Sequence, residues 1–171
     1  MELKLSVWGP MGVGKTSLIV RFCQGGFLEE YEPSTDSNFR KQMEVAGEIV
    51  RFDIQDTCWN TRALRDVYIL QSHAFFCVYS VASRASFRDM EDYFSLIERV
   101  KDKRFPLILV ANKCDLAGER VVSVEEGMRL AERLGCPFWE TSAKDGTHVN
   151  EIFSDSVREY QQMSVVMKKD K

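Results

Sequence analysis

A chain of 171 residues, 44% of them hydrophobic, is long enough for one domain with a full core. A net charge of −3, from 23 Lys and Arg against 26 Asp and Glu, argues against nucleic acid as the main partner, a local basic patch aside. No apolar run is long enough to span a bilayer, so no transmembrane segment is expected, and the N-terminus lacks a signal-peptide pattern. The five cysteines Cys23, Cys58, Cys77, Cys114 and Cys136 are scattered and form no C-x-x-C pair. They read as free thiols of a reducing compartment. His73 and His148 stand apart from any Cys or carboxylate pattern and read as structural or solvated.

Taken in order, Leu3 to Trp8 is an apolar run that reads as a buried strand. Gly9-Pro10-Met11-Gly12-Val13-Gly14-Lys15-Thr16 follows and fits G-x-x-x-x-G-K-[ST], the phosphate-binding P-loop. Thr16, Ser17 and the residues to Phe22 then read as a helix with Leu18, Ile19 and Phe22 inward. Strand, loop and helix is the context this motif needs. Glycines let successive N–H groups turn inward around an anion, and the helix N-terminus adds donors and partial positive charge. Lys15 has the reach for terminal phosphates, and the Thr16 hydroxyl for Mg²⁺.

The polar stretch Glu29 to Ser37 reads as a solvated loop. Phe39 to Val45 and Ile49 to Ile54, with Ala46-Gly47-Glu48 between them, read as a hairpin. Ala74 to Val81 and Leu107 to Ala111 are runs suited to strands covered on both faces. Between them Phe87, Met90, Phe94 and Ile97 keep helical spacing, and Ser83 and Ser86 both have the chemistry to cap that helix. Ser123 to Glu126 resembles a capping box opening a helix with Met128, Ala131 and Leu134 on one side. Pro137 to Thr141 reads as a short strand. Val149, Ile152, Phe153, Val157 and Tyr160 make the inner stripe of a last helix. The repeated β–α order predicts an α/β domain: a mostly parallel six-stranded sheet, one antiparallel edge strand, and helices on both faces. Its ligand belongs beyond the C-terminal strand ends, where the P-loop sits.

Two further motifs fall at strand ends. Asn112-Lys113-Cys114-Asp115 follows one strand, and Ser142-Ala143-Lys144 follows the next. With the P-loop, in this order, they make the chain resemble a Ras-superfamily small GTPase of the Ras/Rap-like branch, from about Leu3 to about Met163. The resemblance implies a P-loop NTPase G domain over residues 1–165, a short basic tail over 166–171, and a GTP/GDP switch with Mg²⁺ that acts in signal transduction. It places the phosphates on Gly12, Val13, Gly14, Lys15, Thr16 and Ser17. It places the base among Asn112, Lys113, Asp115, Ser142, Ala143 and Lys144. A carboxylate at Asp115 accepts from the guanine N1–H and amine, a donor pair adenine lacks. Asn112 braces the loops, Lys113 lies over the base, the Ala143 N–H meets O6, and Phe27 sits edge-on. Tyr31 joins the nucleotide contacts. Tyr31 to Phe39 aligns with the effector-facing switch I, and an exchange factor is expected.

The sequence departs from the family pattern near the γ-phosphate. Ser34 stands where the family has a Mg²⁺-binding threonine, with Thr35 as a second candidate. Asp56 resembles the aspartate that holds Mg²⁺ through water. Trp59 then replaces a glycine, and Asn60 replaces the glutamine that orients the attacking water. Asn60 keeps the amide on a stem about 1.5 Å shorter. Met11 stands where a small glycine leaves room for an arginine finger. Catalysis would rest on Lys15 and an impaired Asn60. These changes imply retained binding with slow, poorly stimulated GTP hydrolysis. The alternative is a non-hydrolysing, GTP-bound interaction module. A P-loop kinase is disfavoured by Asn112 to Asp115 and by the lack of a lid insertion. Cys58 beside the phosphate site reads as an inert side chain. The resemblance implies a cytoplasmic location, extending to the inner face of the plasma membrane. The end Lys168 to Lys171 carries no C-a-a-X box, so this sequence either lacks its natural terminus or does without prenylation.

Overall fold

The computed structural model describes residues 1–26, 37–57 and 64–169. Six strands form one sheet in the order β2-β3-β1-β4-β5-β6. They are β1 (Glu2–Trp8), β2 (Ser37–Val45), β3 (Glu48–Asp56), β4 (Ala74–Ser80), β5 (Leu107–Asn112) and β6 (Phe138–Glu140). β1 runs parallel to β3 and β4, β4 to β5, and β5 to β6, while β2 is antiparallel to β3 across a two-residue turn at Ala46–Gly47. Every residue of β4 and β5 is buried, as befits central strands covered on both faces.

The pleat divides the apolar residues between two cores. Leu3, Leu5, Val7, Phe76 and Val78 face α1 (Lys15–Gln24) and α6 (Val149–Lys169), where Phe22 stacks on Phe153 at 3.6 Å. Phe75, Cys77, Tyr79 and Leu109 face the other core. It is covered by α2 (Arg65–Gln71), α4 (Met90–Lys101) and α5 (Val124–Leu134), with Ile69, Met90, Ile97 and Leu130 inward. The expected architecture is therefore present. Among the described residues no helix is long and apolar enough to cross a membrane.

Several local readings change. Met128 is not on the inner side of α5: it is 56% exposed, and Gly127, Leu130 and Ala131 take that face. The helix expected through Phe87 and Ile97 is two, α3 (Arg84–Arg88) and α4, which meet at Asp89. Of its two candidate caps Ser83 acts, accepting from the Ser86 N–H, while the Ser86 hydroxyl donates to the Ser83 carbonyl at 2.8 Å. Ser37 is the first residue of β2 rather than loop. Only Ile69 of the seven residues of α2 is fully buried, so no apolar stripe announces this helix in the sequence. The capping box at Ser123 is complete in both directions.

Gly127 shows why α5 turns as it does. A Cβ there would meet the Phe138 ring and the Tyr79 hydroxyl at 2.5 Å. Gly127→Ala normally strengthens a helix by about 1 kcal/mol. Here the clash dominates, and a net loss of about 1–3 kcal/mol is expected in urea unfolding. The buried Tyr79 hydroxyl has no hydrogen-bond partner among the described residues, so Tyr79→Phe should be neutral or stabilising.

His73 joins β1 to β4 twice. Its N–H donates to the Lys4 carbonyl at 2.7 Å, and its Nδ1 accepts the Lys4 N–H at 3.1 Å. Its ring also stacks on Tyr160. An accepting Nδ1 carries no proton. Burial, then the charges of Lys101 and Lys4, push the imidazole below its usual range. A depressed histidine contributes fully above the unfolded value of about 6.5, and its contribution is lost as pH falls below that toward the folded value. Unfolding free energy should therefore fall from pH 7 to pH 5, with a smaller slope in His73→Gln.

Candidate functional site

The C-terminal ends of β1, β3, β5 and β6 deliver the candidate residues to one rim of the sheet. After Trp8 the chain turns through the loop to Gly14, whose φ of 98° starts α1. A Cβ at Gly14 would lie 2.4 Å from Asn112 Nδ2, so the position demands glycine on both counts. α1 has no side-chain cap and no acidic residue in its first turn, whereas α5 has both. A helix start without a side-chain cap or an acidic residue directs its dipole toward an anion.

Lys15, only 9% exposed, donates from Nζ to the Gly9 and Pro10 carbonyls at 2.8 and 3.0 Å. The ammonium is held inside the loop it closes. Thr16 Oγ1 donates to Asp56 Oδ2. Asp56 ends β3 in register with Val7 and is 2% exposed. The next residue, Thr57, donates from Oγ1 to the Val7 carbonyl at 2.6 Å, tying β3 to β1. One buried ammonium, one hydroxyl and one carboxylate therefore share the phosphate-motif end. Hard oxygens of this kind suit Mg²⁺, which takes one or two protein oxygens and leaves its remaining positions to phosphate and water.

The other end is built around Asn112, which is 1% exposed. Its Nδ2 donates to the Val13 carbonyl at 2.9 Å, and its Oδ1 accepts from Thr141 Oγ1 at 3.1 Å and from the Ala143 N–H at 3.4 Å. One side chain thus joins the loop after β1 to the loop after β6. Lys113, at φ 64°, donates from Nζ to the Gly12 carbonyl at 2.7 Å. The Ser142 hydroxyl donates to Asp115 Oδ1 at 2.7 Å, which fixes that carboxylate beside Ala143. Arg120 grips Glu140 with two bonds, at 2.7 and 2.8 Å, and braces the segment after Asp115 against β6. Burial, then the carboxylates of Glu140, Asp145 and Asp115, push the Cys114 thiol up and keep it protonated.

The profile of the Ras family matches residues 4–162. The chain belongs to the Ras family. Family membership makes it a GTP-binding small GTPase switch, with the nucleotide, effector and exchange-factor partners typical of the family. Within that Ras-family frame the described structure gathers Gly12 to Ser17, Asp56, Asn112, Lys113, Asp115 and Ser142 to Lys144 along one rim. Ser17 lies in the first turn of α1, and Lys144 is exposed. Phe27, Tyr31, Ser34, Thr35, Cys58, Trp59 and Asn60, and Tyr31 to Asp36 of the switch I stretch, lie outside the described residues.

Sequence reasoning missed two groups at this Ras-family site. Thr141 ends the run that the sequence marks as a strand, and its hydroxyl supports Asn112. Asp145 folds the Ser142–Thr147 loop by accepting from Thr147 Oγ1 at 2.7 Å and from the Thr147 N–H at 3.2 Å. Those bonds from Thr147, then one with Ser142, hold its carboxyl below the usual range. The D-G-T run after Ser142-Ala143-Lys144 carried that turn signal.

Proposed function

We propose that this chain is a guanine-nucleotide switch of the Ras/Rap-like branch that uses Mg²⁺, keeps nucleotide tightly and turns GTP over slowly. The observation that carries the reading is the Asn112 bridge. It ties the phosphate loop at Val13 to the base loop at Ala143, so one nucleotide can satisfy both ends at once. Lys15, the uncapped start of α1 and the N–H groups from Gly12 to Ser17 receive the phosphates. Asp115 accepts from guanine, and the Ala143 N–H meets O6. Phe27, Lys113 and Tyr31 flank the nucleotide, and Ser142 and Lys144 support the base loop. Thr16, Ser34 or Thr35, and Asp56 through water hold the ion. Mg²⁺ bound there neutralises charge on the phosphate oxygens.

Three side chains argue for weak turnover. Asn60 orients water from a shorter stem, Trp59 restricts the neighbouring backbone, and Met11, 65% exposed on the loop, crowds an arginine finger. Residues 1–165 carry all these roles, and α6 continues through Lys169. The cytoplasm and the inner membrane face are its proposed places.

The test is the nucleotide that co-purifies, released by denaturation and separated by chromatography. Stoichiometric guanine nucleotide with a large GTP share is expected. ATP, or no nucleotide from a folded sample, would overturn the reading. A sample that is all GTP and never decays would select the non-hydrolysing module instead.

Thr16→Ala tests the ion. Removing the hydroxyl gives one coordination position to water and leaves Asp56 without that partner. Mg²⁺-dependent retention should weaken about tenfold, more for GTP than for GDP. Equal release rates of wild type and variant across a magnesium titration would count against the assignment.

A further inference from the structure

We propose that Arg21 is a positioning residue for guanine recognition: its guanidinium, packed against Gly146, locks the Ser142–Thr147 loop that carries the Ala143 amide. The proposal rests on the reading of Ala143 as the donor to guanine O6.

Gly146 sits at φ +86°, and a Cβ there would lie 2.8 Å from Arg21 Nη2, 3.1 Å from Nε and 3.4 Å from Cζ. Three guanidinium atoms around one missing methyl mean that the planar group lies directly on the loop. Arg21 makes no ion pair among the described residues, and Asp145 is occupied by Thr147. The contact is therefore packing against backbone, which a planar cation suits better than a lysine ammonium.

The loop transmits what happens at Gly146. The Gly146 N–H donates to the Ser142 carbonyl at 2.8 Å, and the Ser142 N–H donates to the Thr147 carbonyl at 3.1 Å. Ser142 then holds Asp115 through its hydroxyl and precedes Ala143 in the chain. A shift at Gly146 thus reaches the base contacts through one closed turn. The other side of the lock is rigid. Arg21 lies in the last turn of α1, whose Leu18, Ile19 and Phe22 are buried and whose first turn starts at the phosphate loop. α1 thereby joins the two ends of the site a second time, independently of Asn112.

The experiment compares release rates of GDP and of 6-thio-GDP, in which sulfur replaces O6 and accepts hydrogen bonds poorly. Arg21→Ala should release GDP about three- to tenfold faster, the factor that one ordinary hydrogen bond supplies. Release of 6-thio-GDP should change less than about twofold, because that contact is already weak. Arg21→Gln, which keeps a planar group, should recover part of the loss. Gly146→Asn tolerates the positive φ but displaces Arg21, and should show the same discrimination with an unchanged melting temperature. Equal acceleration of both nucleotides would reduce Arg21 to general packing and overturn the proposal, as would no acceleration. Asp115→Asn is run beside them. If it leaves GDP release unchanged, the base assignment itself fails, and the lock fails with it.

Discussion

Asp115→Asn is expected to lower GTP affinity by about a hundredfold or more and to move base preference toward xanthine. The Ser142 hydroxyl donates to one oxygen of the carboxylate, Oδ1, and the proposed guanine contact is made by the lone pairs that this bond does not use. Two charge-assisted hydrogen bonds of about 1.5–3 kcal/mol each are lost or weakened when the acceptor becomes a neutral amide. The new NH₂ also opposes the guanine amine, donor against donor. Xanthine carries an oxygen there, so the same NH₂ gains an acceptor. The check is competition of GTP, xanthosine triphosphate and ATP for the purified variant. Thermal unfolding should barely change, because Asp115 is exposed in the folded chain.

The second large effect is a gain. Trp59→Gly with Asn60→Gln should raise GTP hydrolysis roughly tenfold, since water positioning supplies much of the rate when the protein performs little covalent chemistry. The fixed parts are already in place: Lys15 is buried in its loop, and Thr16 is paired with Asp56. Adding Met11→Gly should leave the unstimulated rate near that of the double variant. It should open the response to an activating protein by about a hundredfold or more, because an arginine finger acts only where it can reach the phosphates. Met11→Gly alone should do little, since the water would still be poorly held.

The sheet was legible because its strands are written as runs. Ala74 to Val81 and Leu107 to Ala111 have no polar residue before their ends that would suit a solvated face, and both strands came out wholly buried. Met128 misled because its spacing from Ala131 fits one helical face, but Gly127 lets Phe138 and Tyr79 approach the helix so closely that the inner face rotates. Such a rotation depends on tertiary crowding, which no periodicity contains. The site motifs were legible because each has few local solutions: a glycine at φ 98° before Lys15, or an asparagine at the end of a buried strand. Thr141, Arg21 and Gly146 were not, because their partners are 29 to 125 residues away and their types are ordinary.

Single-turnover hydrolysis of bound GTP, followed by chromatography of the nucleotide in wild type and in Trp59→Gly/Asn60→Gln, tests retained binding with weakened turnover most directly. Wild type is expected to hold GTP stoichiometrically, to hydrolyse it slowly but measurably, and to be overtaken by the double variant. A wild type that hydrolyses as fast as the double variant would contradict this, and the water would then be positioned by another residue.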